Sequence, residues 1–352
     1  MPKYVIHIGP PKTGSKFLQS QLYYARKDLL VADVVYPGNW WKHTDEVMHL
    51  SLFQEIRNGQ AQSLNLEFAK INARDPRIVV LSSEGFESLD EDRLMLLRNA
   101  IGNHPIEIVY YCRAWSSRIP SLWRMRVMTG EFQTFPEFFL FYAAEPSGSG
   151  EINYARVWSH FENVFGRKSL KLVSFSNLER NNVDLFDHFC RTFLGLAQAP
   201  MIKTCLIQKN ISPPMQEMEI IRALNALHFH RTGERGLIMR VKFLAVRNRL
   251  ELAPLLEMMA NSWGSFHVRD HAEPLNSAWK AISAYTDCLV SKEYGHHIFD
   301  RDSRLLAYVQ PHYLLMEGAL EELIGLYRAL VSFPVDDPQL RRGHQIESSV
   351  VT

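Results

Sequence analysis

A β-branched run, Tyr4–Ile8 (YVIHI), stops at Gly9-Pro10-Pro11, and apolar residues at helical spacing resume at Phe17, Leu18, Leu22, Ala25 and Leu29. A strand that feeds a helix through a short loop commits the chain to a crossover, because a parallel neighbour is out of reach of a tight turn. The alternation then continues. Arg77–Leu81 (RIVVL), Ile106–Cys112 (IEIVYYC) and Leu170–Phe175 (LKLVSF) read as further strands. Helical spacing covers Lys16–Leu30, Asp90–Ala100, Ser116–Arg126, Tyr154–Phe165 and Val183–Leu194. Asp90 opens an acidic first turn, favourable at the positive end of a helix dipole, and Gly195 follows the last helix as a stop. The expected fold class is α/β, with a largely parallel β-sheet covered by helices on both faces.

Beyond about residue 205 the strand signals fade, and Met215–His228 and Leu314–Leu330 look helical. The expected organisation is an α/β core over 1–204, a helical subdomain over 205–334 packed on it, and a polar, aperiodic tail over 335–352. Lys plus Arg (39) nearly balance Asp plus Glu (38), so no bulk field recruits nucleic acid or an anionic membrane. No apolar run approaches the ~20 residues of a membrane span, and the N-terminus starts a strand without a signal-peptide pattern. Four scattered cysteines, Cys112, Cys190, Cys205 and Cys288, form no CxxC pair and suit reduced thiols. These features lead us to expect a cytoplasmic protein.

Between the first strand and helix lies Gly9-Pro10-Pro11-Lys12-Thr13-Gly14-Ser15-Lys16. Backbone N–H groups at a helix start are unpaired and the dipole is positive there, so the segment suits a phosphate and the sheet reads as P-loop-containing. Gly14 allows close backbone approach, Thr13 and Ser15 supply hydroxyls, and Lys12 supplies a mobile charge. A nucleoside-triphosphate loop reads GxxxxGK followed by Ser or Thr. Here Gly9 and Gly14 have that spacing but the order is Ser15-Lys16, which misplaces the magnesium-binding hydroxyl. An ATP-dependent small-molecule kinase would also want an acidic metal ligand after a neighbouring strand, and Glu84 is an imperfect substitute.

The segment Pro10-Pro11-Lys12-Thr13-Gly14-Ser15 resembles the 5′-phosphosulfate loop of the PAPS-dependent sulfotransferases, in which Pro-Lys-x-Gly and a Ser or Thr follow the first strand. A second family signature is an Arg at the end of a later strand and a Ser eight residues on. Arg113 and Ser121 have that relation in this chain. An Arg fork and a hydroxyl suit a 3′-phosphate. The resemblance spans about the first 200 residues in architecture and is greatest to bacterial carbohydrate-type members. It implies PAPS as donor, PAP as product and no required metal. It also implies donor contacts from Pro11, Lys12, Thr13, Gly14, Ser15, Lys16, Arg113 and Ser121, with Lys209 in a late basic loop. Many members carry a Tyr-Glu-Asp-Leu-like segment after the fourth strand. This chain has Ser174-Phe175-Ser176-Asn177-Leu178, which leaves Phe175 as the aromatic for the adenine.

Sulfuryl transfer needs charge neutralisation, assigned to Lys12, and a base for the acceptor proton. Glu84 is the first choice: it follows a strand, where ligands of open α/β sheets gather, and heparan-type members use a glutamate. His43 and His49 compete for the role, and Trp40 and Trp41 are candidates for an apolar platform under an acceptor ring. Arg118, Arg124 and Arg126 form a basic face near Ser121 that reads first as solvated. His296-His297 with Asp300 and Asp302 match no metal motif. The expected acceptor is a hydroxyl or amine of a carbohydrate or small molecule. A non-catalytic nucleotide-binding module is the third reading.

Overall fold

The alternating runs become strands buried on both faces, as a parallel sheet requires. The structure, a computed structural model, describes residues 1–40, 47–201, 213–267, 276–289 and 305–333. Its strands are β1 (Lys3–His7), β2 (Val34–Val35), β3 (Ile78–Ser82), β4 (Ile106–Cys112), β5 (Leu170–Ser174), β6 (Trp263–His267) and β7 (Leu305–Val309). The helices up to the fourth strand are α1 (Ser15–Tyr24), α2 (Arg26–Val31), α3 (Leu50–Arg57), α4 (Ala61–Asn72) and α5 (Glu91–Ile101). There follow α6 (Trp115–Met128), α7 (Phe135–Ala144), α8 (Tyr154–Phe165), α9 (Phe175–Arg180) and α10 (Leu185–Phe193). The remainder are α11 (Met215–Thr232), α12 (Leu237–Val246), α13 (Ala253–Ala260), α14 (Ala278–Leu289) and α15 (Ala319–Ser332).

Spatial proximity divides the chain into two units. One comprises Met1–Trp115, Glu145–Lys209 and Ser277–Asp302; the other comprises Ser116–Ala144, Asn210–Asn276 and Ser303–Thr352. Each is assembled from separate stretches of the chain.

The first unit holds a five-stranded sheet in the order β2-β3-β1-β4-β5, with every pair parallel. The chain builds from β1 to one side, then returns to place β4 and β5 on the other. The carboxyl end of β1 is therefore where the strand order reverses, and open α/β sheets leave a ligand crevice at that point. On one face Val5, Val80, Val109 and Val173 pack with Leu18 and Leu22 of α1 and Phe186 and Phe189 of α10. On the other, the Tyr4 ring lies 5.8 Å from Phe68 of α4, and Tyr110 lies 5.9 Å from Tyr154 of α8. Each fully buried Val, Leu or Phe stabilises by about 1.5–3 kcal/mol. That exceeds the ~0.7 kcal/mol spread of helix propensity among ordinary residues, so packing decides which segments cover the sheet.

Several local expectations change. The helix expected over Lys16–Leu30 breaks at Ala25, where Arg26 turns back to donate to the Tyr23 carbonyl at 2.6 Å. The stretch after residue 205 is not wholly helical. In the second unit β6 and β7 pair antiparallel, with Trp263 opposite Val309. The final helix starts at Ala319 rather than Leu314, because Gly318 at φ +82° caps it and Pro311–Leu315 forms a separate 3-10 turn. The second unit also buries an ion pair on α11, where Arg222 bonds Glu219 with both Nε (2.7 Å) and Nη2 (2.6 Å). Among the described residues, no helix is long and apolar enough to cross a membrane. The tail over 335–352 lies outside the described residues.

Candidate functional site

The loop that follows β1 is moulded by the ends of its neighbouring strands. Gly9 has φ +96°, and a Cβ there would stand 3.3 Å from the Glu84 Cα, so the loop begins against the backbone that leaves β3. Thr13 and Ser15 are buried, and both hydroxyls donate to the Pro10 carbonyl, at 2.7 and 2.9 Å. This alters the expectation for them. Their hydrogens close the loop on itself instead of pointing outward, so the two residues shape the cradle. Gly14 (φ +78°, ψ 8°) is the N-cap of α1, which has no side-chain cap. A Cβ on Gly14 would lie 2.6 Å from Leu185 Cδ2 and 3.3 Å from the Phe175 ring. Glycine is required there on two counts, backbone conformation and space. Lys12 and Lys16 are exposed and Pro11 is half-buried.

Arg113 follows β4 directly. Tyr154 of α8 brackets its peptide, receiving the Arg113 N–H at 3.3 Å and donating to its carbonyl at 2.7 Å. The guanidinium reaches across to the loop, where Nη1 donates to the Lys12 carbonyl at 3.0 Å. Nη2 donates to Glu179 of α9 at 2.8 Å, and the Phe175 ring stacks on the cation at 5.5 Å. Nε is buried and has no hydrogen-bond partner among the described residues. The first unit thus brings Lys12, Gly14, Arg113 and Phe175 together, with Glu84 beside Gly9. Ser121, in α6, belongs to the second unit.

Glu84 is half-buried and starts a 3-10 turn, Glu84–Ser88, immediately beyond β3. His49 is placed differently from the expectation. It is fully buried at the start of α3, its Nε2–H donates to the Pro37 carbonyl at 2.8 Å, and its Nδ1 accepts the Ser82 N–H at 3.0 Å. Its own N–H donates to the Ser82 carbonyl at 2.9 Å. The reason lies in the sheet. β2 pairs only with Ile78 and Val79, so the N–H and carbonyl of Ser82 need partners beyond its end, and His49 supplies both. Burial pushes its pKa down to about 4 despite the Pro37 bond. With its acceptor nitrogen occupied, His49 is a structural residue and not a base.

Trp40 also departs from expectation. It is buried, 5.1 Å from the Phe68 ring and 6.1 Å from His49, which leaves no face for an acceptor ring. Trp41, His43 and Lys209 lie outside the described residues, as do His296, His297, Asp300 and Asp302. Among the described residues, no group of three or more His, Cys, Asp or Glu side chains could hold a metal ion.

Sequence reasoning missed a buried polar cluster behind the loop. His7 Nδ1 meets Ser82 Oγ at 2.8 Å, and Gln19 Nε2 donates to the same oxygen at 3.2 Å. These contacts bind α1 to β1 and β3, and hence the loop to the strand that delivers Glu84. Burial pushes the His7 pKa down to about 3. A histidine inside an apolar strand sequence was the available signal. Compared with known proteins, the chain matches no family model and no curated protein.

Proposed function

We propose that the chain is a PAPS-dependent sulfotransferase acting on a hydroxyl or amine of a carbohydrate or small molecule. One observation carries the reading. Arg113 donates to the carbonyl of Lys12, so two motifs 101 residues apart in sequence meet at one point. That point is the carboxyl end of β1 and β4, at the strand-order reversal. Donors suited to two phosphates of one nucleotide then lie on either side of a single contact. The buried Nε of Arg113 and the uncapped start of α1 are groups that an anion would satisfy.

The donor would supply a sulfuryl group on a phosphate that departs with the bonding electrons. Lys12 extends its charge from the loop toward that leaving phosphate, and the N–H groups at the start of α1 add donors. Thr13 and Ser15 keep the loop in shape through Pro10. Phe175 presents a ring beside Gly14 for the base of the nucleotide. Glu84, at the end of β3, takes the proton from the acceptor.

Differential thermal stabilisation tests the reading. PAP should raise the melting temperature and ATP with Mg²⁺ should not; the reverse pattern would support the kinase reading instead. Incubation with labelled PAPS and a cell extract should then transfer label to an acceptor, and a Lys12→Ala chain should not. Stabilisation by PAP with no label transferred across a broad acceptor screen would favour the non-catalytic module.

A further inference from the structure

We infer that Glu179 occupies, in the free protein, the edge of Arg113 that the nucleotide's 3′-phosphate takes, and that the nucleotide displaces it. The inference rests on the donor reading above. Arg113 presents donors on more than one edge. Nη1 is committed to the Lys12 carbonyl at 3.0 Å, which fixes the guanidinium to the loop. The edge formed by Nε and Nη2 is only half used: Nη2 meets Glu179 Oε1 at 2.8 Å, while Nε is buried and unpartnered among the described residues. A guanidinium edge is shaped for two parallel bonds to one anion. Buried donors are almost always paired, so the idle Nε marks an oxygen that this edge receives and Glu179 does not provide. A phosphate provides it, with several acceptor oxygens.

Glu179 is also free to leave where Arg113 is not. Its side chain is 43% exposed, on the surface of the short helix α9, whereas that of Arg113 is 20% exposed, pinned to the loop and stacked on Phe175. Moving the carboxylate into water sacrifices only a partly exposed ion pair, which is weak. The exchange makes the 3′-phosphate a selected feature. A nucleotide phosphorylated only at the 5′ position leaves the Arg113–Glu179 pair closed and gains nothing from it.

Calorimetric titration of PAP and AMP into the wild-type, Glu179→Gln and Glu179→Ala chains tests this. Both variants should bind PAP roughly fivefold more tightly, the scale of one exposed ion pair, and AMP affinity should not change. Unchanged or weaker PAP binding in both variants would overturn the exchange while leaving the donor reading intact. Equal tightening for PAP and AMP would also overturn it, because Glu179 would then repel anions in general. Wild-type chains that bind neither ligand, or bind AMP as well as PAP, would remove the donor reading and this proposal with it.

Discussion

Lowering the pH should destabilise the first unit in a way that His49 governs. A proton added to His49 would break the Ser82 N–H bond at Nδ1 and leave a charge in the core. Burial accordingly holds its pKa near 4, against about 6.5 in an unfolded chain. Above about pH 6.5 both states are neutral and nothing is lost. Between about 6.5 and 4 the unfolded chain binds a proton that the folded one refuses. Stability then falls by ~1.4 kcal/mol per pH unit, to a total loss of about 3 kcal/mol, and levels off below 4. His7, held near 3 by burial, adds a similar slope over the same range. Together they should remove about 5 kcal/mol between pH 6.5 and 4.5, as much as the whole stability of many domains. Urea denaturation followed by circular dichroism at about pH 7, 6 and 5 measures the slope. A His49→Gln chain can receive the Ser82 N–H on Oε1, donate from Nε2 to Pro37, and never ionise. Its stability should therefore depend less steeply on pH, by ~1.4 kcal/mol per unit between about 6 and 5. Equal slopes in the two chains would mean that folded His49 titrates normally, and the case against it as a base would collapse.

Gly14→Ala should cost about 2–4 kcal/mol, combining left-handed strain with overpacking against Leu185. In a Leu185→Ala background most of the packing share should go, the 3.3 Å approach to Phe175 remaining, and a double-mutant cycle without coupling would reject the contact with Leu185. Glu84→Gln should leave PAP affinity intact and lower turnover by about 10²–10⁴; undiminished turnover would pass the role to His43. In the second unit, Glu219→Ala leaves Arg222 charged at 6% side-chain exposure and should destabilise by about 3–5 kcal/mol. A loss of unfolding free energy below about 1 kcal/mol in urea denaturation would argue that water reaches the pair.

Much of the sheet could be read from the sequence because its strands are apolar on both faces. β1, β3, β4 and β5 fall within a residue of their expected bounds. The two-residue strand β2 has no periodicity to detect, and β6 carries Gly264 and Ser265, which interrupt the apolar run of a strand. At the site, the spacing of Gly9, Lys12 and Gly14 was visible, but the direction of the Thr13 and Ser15 hydroxyls was not. That direction depends on where the Pro10 carbonyl turns, which only the folded loop fixes. A lone histidine and a tryptophan pair give no sign of burial in a sequence. His49 is inside because β2 is too short to finish the edge of β3, and Trp40 is inside because it packs on Phe68 and His49. Glu179 was invisible for a simpler reason: an exposed glutamate 66 residues from Arg113 looks like any surface charge.

The backbone at Lys12 bears on why a lysine stands there at all. Its φ of +69° places it in the left-handed region, which costs a residue with a side chain about 1–2 kcal/mol. Glycine would take that conformation without strain. Such strain persists only where the surroundings over-determine the conformation, and the bond from Arg113 Nη1 to the Lys12 carbonyl is one of those determinants. Gly9 and Gly14, three and two residues away, do occupy positive φ as glycines. Position 12 carries a lysine instead. Its side chain is exposed, in the loop that directly follows β1. Asp75 and Asn182 also take positive φ in exposed turns, at +47° and +53°, so the strain alone assigns no role. Under the proposed function the Lys12 side chain is the positive charge that the loop brings to the leaving phosphate.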